Sequence, residues 1–545
     1  MSRDPDRGFF GHPIGLRTLF FTEMWERFSY YGMRAFLILY LTAPKDVGGK
    51  GLLDSSAGSV FAVFGASVYL LSLPGGWIAD RFIGQRKGVI FGGIGIAIGN
   101  VLLAFPSTAD LPFYTGLILI AMGTGMLKPN VSTIVGQLYG PTDIRRDAGY
   151  TIYYMGINIG ASVSPFVCGY LAGRGVATDS FRQFLASHDI DPNMAWHFAF
   201  AAAAVGMIAG VIQFIGGRRS LGGAGEHPTI PEDPKRAARD RTVLGAIVAT
   251  LVILGVLIAT VGPTRDTITN VMGIGLVLGS IALFYGLYSS ARDAREKRGI
   301  LAMIPLYLGA IGFFGIFEQA PTTLNLFADQ LTRPELFGMN IPPAFYQSVN
   351  GVFIVLLAPL FAFIWLRLAR AKKEPTSVNK FAIGMVFVAL SFVVMLPTLW
   401  TVPTIVAPGV KVPESQQVSG MYLIVLYLVY TCAELCISPV GLSSMSKLAP
   451  KRLAGMVMGT WFLGTSIGVY LAGRATTISE KNGFPFLFKF LIVAALVMAA
   501  ALFIVAPVIR KMMALNVDAE GPENKSEKAE PEPLPSARVV DRDKE

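Results

Sequence analysis

Fourteen stretches of roughly 18 or more mostly apolar residues run along this chain, each long enough to cross a bilayer as a helix. They lie near residues 16–42, 57–80, 87–105, 111–138, 147–173 and 196–216, then 243–262 and 271–291, then 302–331, 344–368, 379–397, 419–442, 453–473 and 485–509. In lipid every backbone amide and carbonyl needs a partner inside its own segment, so such stretches fold as helices. The pattern predicts an all-α polytopic membrane protein parsed as six, two and six helices. Of 545 residues, 53% are hydrophobic and only 15% charged, more apolar surface than soluble cores hide.

The expected units are an N-terminal six-helix bundle at 1–217, a polar linker with two extra transmembrane helices at 218–299, and a C-terminal six-helix bundle at 300–511. A tail at 512–545, polar and rich in Pro and Glu, cannot bury enough apolar surface to fold and is expected to be disordered. The net charge of +10 would suggest nucleic acid in a soluble protein. Here Lys and Arg cluster in every second connection instead, at Arg81/Arg86/Lys87, Arg145/Arg146, 218–241, 292–298, 367–373 and Lys447/Lys451/Arg452. We therefore expect no nucleic-acid partner, but a multi-pass protein of the inner (plasma) membrane with the bilayer as its surroundings and both termini cytoplasmic. The N-terminal residues lack a short apolar core with a small-residue cleavage site, so no cleaved signal peptide is expected. Cys168, Cys432 and Cys436 all lie in apolar stretches, which predicts packing rather than a disulfide framework or zinc site.

The first apolar stretch is also charged. In "FTEMWERFSYYGMRAF" (21–36), positions i, i+3, i+4 and i+7 place Glu23, Glu26, Arg27, Tyr30, Tyr31 and Arg34 on one helical stripe. Each charge at the bilayer centre costs about 2.5–3.5 kcal/mol, so these groups must pair or face water. A static ion-pair clamp between helices is the plain alternative, but it stabilises less well than apolar packing would. Lys128, Glu318 and Glu434 are isolated charges in other apolar stretches. If all face one cavity, Glu23, Glu26, Glu318 and Glu434 outnumber Arg27, Arg34 and Lys128 by one, and an acid in excess can carry a proton through a cycle. Glu23 and Glu26 are the better placed for that, because Arg27 adjoins both. Arg34 and Lys128 facing Glu434 would suit a zwitterion longer than a free amino acid.

Two six-helix halves with a cytoplasmic linker form the layout of the major facilitator superfamily, and "GGWIADRFIGQRK" (75–87) resembles that superfamily's loop between its second and third helices. In this motif Asp80, Arg81, Arg86 and Lys87 are expected to bridge to neighbouring helix ends. The E-x-x-E-R-F-x-Y-Y core of 23–31 resembles the proton-coupled oligopeptide transporters, bacterial members in particular. "TIYYMGINIGASVSPF" (151–166), "GTGMLKPN", "FEQ", "QSVNGVFIVLLAPLF" (347–361) and "AELCISPVGL" (433–442) extend the resemblance over essentially all twelve core helices.

The resemblance implies a symporter, not an enzyme, that imports di- and tripeptides by alternating access. It implies protons as the coupling ion, no other cofactor, no metal site, and a monomer as the functional unit. Glu23, Glu26 and Arg27 match the proton-coupling motif, with Glu318 linking proton release to gating. Tyr30, Tyr31, Arg34, Tyr69, Lys128, Tyr154 and Asn158 match the N-terminal half of the peptide site, Arg34 and Lys128 lying towards the peptide carboxylate. Asn350, Glu434, Ser438 and Trp461 match the C-terminal half, Glu434 holding the ammonium. On their own, Tyr69, Tyr154 and Trp461 would read as packing residues. Two features depart from the family pattern. Asn350 is followed by Gly351 where members often have Pro, and no His occurs in 57–80, so proton handling is expected to rest on carboxylates. The same fold with another ligand (nitrate, an amino acid or a peptide-like drug), or a peptide receptor that does not transport, stays open.

Overall fold

The computed structural model describes residues 8–517, apart from 108, 141–142, 175–178, 230–232, 262–263, 408 and 449–452. The first half contains α1 (Gly15–Thr42), α2 (Asp54–Leu70), α3 (Ser72–Ile78), α4 (Gln85–Ala104), α5 (Asp110–Gln137), α6 (Arg146–Ala172), the short α7 (Ser180–Ser187) and α8 (Ala195–Gly217). Two further helices follow, α9 (Pro234–Val261) and α10 (Arg265–Ser289). The second half contains α11 (Ala294–Phe317), α12 (Thr323–Leu331), α13 (Phe345–Arg370), α14 (Ser377–Val393), α15 (Met421–Leu448) and α16 (Ala454–Val517). A small antiparallel hairpin, β1 (Glu335–Leu336) and β2 (Met339–Asn340), joins α12 to α13.

The long helices fall into two sets separated by α9 and α10, the order that the two-half layout predicts. Among the described residues, eleven spans are long and apolar enough to cross a bilayer. The expected fourteen differ from these by α1, whose charges spoil its apolar character, by α9, and by the division of α16 at Gly483, where φ is +82°. Helix α16 continues past residue 512 to Val517, inside the segment expected to be disordered; the rest of that tail lies outside the described residues. The three cysteines are free, Cys168 and Cys436 among them buried.

Glycines set how closely the helices approach. A Cβ on Gly99 would lie 2.6 Å from Gly116 O, and one on Gly123 would lie 2.5 Å from Gly92 O, so α4 and α5 touch backbone to backbone. Without a hydrophobic force between helices in lipid, such contact is what holds them. Between the halves, Gly473 of α16 meets Gly58 of α2 in the same way. Helix α10 rests against that seam, Leu276 packing with Ala66 and Leu463.

The connections carrying most Lys and Arg lie at one end, here called the basic end; α2, α5, α8 and α13 start or finish their other termini at the far end. Among the described residues the basic motif after α3 meets a neighbouring helix end, as expected, at one pair only. Otherwise it grips the linker. Arg86 donates from Nε to Ala224 O at 2.7 Å and from Nη2 to Gly222 O, and Arg81 donates to Thr229 O at 3.1 Å. Asp80 takes Thr229 N–H on its carbonyl at 2.7 Å. Of these contacts, only Arg81 with Asp240 of α9, at 3.7 Å, reaches another helix.

Hydrogen bonds between the halves concentrate at the far end. Arg174, just after α6, is buried and donates to Ala328 O (3.1 Å), Asp329 O (3.0 Å), Thr332 O (3.0 Å) and Ile341 O (3.2 Å) around the α12–α13 connection. Phe166 and Phe345 stack edge to face there, 5.0 Å apart. Gly351 lets α13 close on α6, because a side chain would strike Ser162. Helix α13 runs unbroken through Asn350–Gly351 and keeps its proline later, at Pro359.

Candidate functional site

The charged stripe of α1 folds as its spacing predicts. Glu23, Glu26 and Arg27 are 1%, 0% and 3% exposed, so their charges are balanced within the protein or not at all. Arg27 Nε lies 2.9 Å from Glu23 Oε1 and 2.5 Å from Glu26 Oε2. One guanidinium therefore serves two carboxylates. Both Glu26 oxygens lack a well-aligned hydrogen bond among the described residues, as does Glu23 Oε2, which leaves room for a proton on this triad. The Arg27 guanidinium also lies 5.8 Å from the Tyr30 ring centre and 5.9 Å from that of Tyr31.

One turn further, Arg34 Nη2 is ion-paired with Glu318 Oε2, both residues buried. Its guanidinium sits 5.5 Å from the Tyr31 ring centre and 5.8 Å from that of Phe61. Glu318 occupies a break the apolar pattern did not reveal: the stretch expected as one helix over 302–331 divides between Phe317 and Thr323. A broken helix at mid-membrane frees backbone groups and turns a side chain towards the interior. At the break Ile316 O accepts both the Gln319 N–H at 3.1 Å and the Tyr430 hydroxyl at 2.6 Å.

Lys128 of α5 holds its ammonium 4.3 Å from the Tyr69 ring centre, within electrostatic reach of Arg27, Glu26, Glu23 and Glu318. Glu434 of α15 accepts from Asn350 Nδ2 at 3.1 Å, and the same Asn350 nitrogen donates to Thr431 Oγ1 at 3.0 Å. Among the described residues no ion pair joins Lys128 or Glu434 to an opposite charge. Tyr154 lies within electrostatic reach of both Glu434 and Tyr31. Asn158 spends an amide hydrogen on Tyr154 O at 2.9 Å, a bond within its own helix. Ser438 is half-buried one turn beyond Glu434, and Trp461 packs edge-on to Phe314 at 5.7 Å and against Gly441. The structure thus brings α1, α2, α5, α6, the break between α11 and α12, α13 and α15 around one set of charges, with Trp461 at its edge.

The family model described as PTR2, POT family, matches residues 86–486. The chain belongs to the POT family. Its relatives include an uncharacterized transporter of Bacillus subtilis (strain 168), 36% identical, the match covering 93% of this chain and 96% of that one. A di-/tripeptide transporter of Lactococcus lactis subsp. cremoris is 35% identical, with 93% and 98% covered. The crystal structure of a peptide transporter POT in complex with sulfate superposes with a TM-score of 0.80 at 38% identity, covering 93% of this chain and 97% of that one.

Four side chains of this POT protein escaped the sequence reading. Asn325 and Gln347, both in the second half, donate to the same carbonyl, Ala35 O of α1, at 2.7 and 2.9 Å. That carbonyl adjoins Arg34, so the two amides and Glu318 clamp one turn of α1. Their only signal was polarity inside apolar stretches, "TTLNLFADQ" and "QSVNG". Tyr153, whose hydroxyl lies 3.5 Å from Ser132 Oγ and faces Glu23, was masked by its neighbour Tyr154. Arg174 directly follows the apolar stretch 147–173 and carries no signal of its four carbonyl contacts in the sequence.

Proposed function

We propose that this POT protein is a proton-coupled importer of di- and tripeptides, working by alternating access between its two six-helix halves. One observation carries the reading: Lys128 in one half and Glu434 in the other have no opposite charge paired to them among the described residues, while Arg34 and Glu318 satisfy each other. A zwitterion with its carboxylate towards Lys128 and its ammonium towards Glu434 completes both charges and draws the halves together. A small anion such as nitrate would leave Glu434 buried against no cation, which disfavours it. The di-/tripeptide transporter among the relatives supports the same ligand class.

Glu23, Glu26 and Arg27 form the proton-coupling group, Arg27 being too few for two carboxylates. Glu318 ties protonation to the movement of the halves through Arg34. Tyr30, Tyr31, Tyr69, Tyr154, Asn158, Asn350, Ser438 and Trp461 complete the peptide-facing surface. The proton is the only co-substrate, the peptide leaves chemically unchanged, and one chain suffices for transport. By the positive-inside rule the basic end and both termini lie in the cytoplasm of a plasma membrane, so the far end is the outer end.

Purified protein in liposomes with an inward proton gradient tests this. Intact dialanine should accumulate, nitrate should not compete, and Glu23→Gln or Glu26→Gln should abolish accumulation while leaving peptide exchange. Full gradient-driven accumulation in both variants, or recovery of free alanine, would overturn the reading.

A further inference from the structure

The outer end of α2 holds a carboxylate that neither the peptide site nor the α1 triad uses. Asp54 is 3% exposed, and its Oδ1 has no hydrogen-bond partner among the described residues. Its Oδ2 accepts a long bond, 3.4 Å, from Nε2 of Gln330 on α12, in the opposite half. Gln330 is itself 1% exposed, and its Oε1 is likewise without a partner. Two buried oxygen acceptors, Asp54 Oδ1 and Gln330 Oε1, therefore face each other's residues with no donor for either, beside one long bond.

The charged groups packed around Asp54 do not favour its anion. On α12 the next residue is Asp329, and on α16 the nearest acid is Glu480. A helix N-terminus ordinarily welcomes a carboxylate, but Glu480 fills that role here, taking Ser55 N–H at 2.6 Å. The cations of the region are committed elsewhere. Lys411 lies 3.3 Å from Asp329 and Lys50 lies 3.0 Å from Asp110. Arg474 of α16 donates to Ser59 Oγ at 3.4 Å and lies 3.9 Å from Asp266 of α10.

A neutral carboxyl resolves the mismatch. Its O–H donates to the Gln330 amide oxygen, its other oxygen keeps the Gln330 N–H, and both unpartnered acceptors are served. We propose that Asp54 is a second protonation site of this protein, loaded from the outer aqueous phase, whose neutral form closes the outer end of α2 onto Gln330. The inference rests on the alternating-access reading and adds to it a proton that acts before the α1 triad is reached. In the outward-open form Asp54 meets water and titrates as an ordinary carboxyl. Closing removes that water, and a buried anion without a cation is disfavoured, so closure and proton uptake are linked. The sign follows: the closed form holds the group's affinity for protons above that of the open form, so closure is favoured at acid external pH and lost as pH rises.

Spin labels on Ala186→Cys and Phe337→Cys, exposed outer positions on opposite halves, report the gate in liposomes once the native cysteines are replaced by alanine. In the otherwise wild-type protein the open-to-closed ratio should rise with pH. Asp54→Asn should lower the slope of its logarithm against pH by about one proton, the amount a single linked group supplies. Asp54→Glu should restore the slope. Gln330→Leu, which leaves the acid but removes its partner, should shift opening to lower pH. The acids of α1 titrate in every variant, so only the lost component belongs to Asp54. A wild-type slope in Asp54→Asn, or an unmoved profile in Gln330→Leu, overturns the inference and leaves peptide transport standing. A wild type whose distance ignores pH likewise overturns the inference.

Discussion

Arg34 of α1 and Glu318, in the break between α11 and α12, form a buried ion pair that joins the two halves across the middle of the membrane. Neither has water to fall back on, so whatever neutralises one releases the other. A proton on Glu318 would free Arg34 for a peptide carboxylate, which ties the two cargoes together without direct contact between them.

Glu318→Gln removes the negative partner and leaves Arg34 buried alone. Breaking a buried pair on one side costs about 3–5 kcal/mol, so the closed outer form should lose stability, with gradient-driven accumulation abolished. Peptide exchange between equal pH compartments should persist. Accumulation and counterflow assays on the same liposomes check this, and loss of both would argue for a purely structural pair.

Lys128→Ala and Glu434→Ala each remove one counter-charge from the proposed zwitterion site. A hydrogen bond to a charged group contributes about 1.5–3 kcal/mol, or roughly tenfold to a hundredfold in affinity. Calorimetry should find Lys128→Ala insensitive to amidation of the peptide C-terminus and Glu434→Ala insensitive to acetylation of its N-terminus. Equal binding of blocked and free peptides by the wild type would contradict the assignment.

Arg174→Ala orphans carbonyls at residues 328, 329, 332 and 341, each now served by one guanidinium. Losing partners for buried acceptors costs about 1–3 kcal/mol per group, and Arg174→Lys should rescue little, because an ammonium cannot fan across four carbonyls. A lower unfolding temperature and easier labelling of a cysteine at buried Tyr346 would register the loosened outer end.

Gly123→Ala would set a Cβ 2.5 Å from Gly92 O, forcing α4 and α5 apart, whereas nothing lies within 4 Å of a Cβ at Gly216. Overpacking costs about 1–3 kcal/mol, so Gly123→Ala should unfold at lower temperature while Gly216→Ala behaves as wild type.

Much of this was legible in one dimension. Helix periodicity is local, so the order of residues alone set the polar stripe of Glu23, Glu26, Arg27, Tyr30, Tyr31 and Arg34, and hydropathy alone set the polytopic helical class. Motif order then pointed to the POT family. Pairing across hundreds of residues is not local. That Glu318 answers Arg34, that Asn325 and Gln347 both reach Ala35 O, and that Arg81 and Arg86 hold the linker all depend on how helices pack. The break at Glu318 hid inside an apolar run for the same reason, since hydropathy measures transfer to lipid and not the path of the backbone. By itself the sequence determined which residues are too polar for lipid; only the tertiary structure decided which of them meet, because burial makes each unpaired charge or acceptor costly until a partner from another helix arrives.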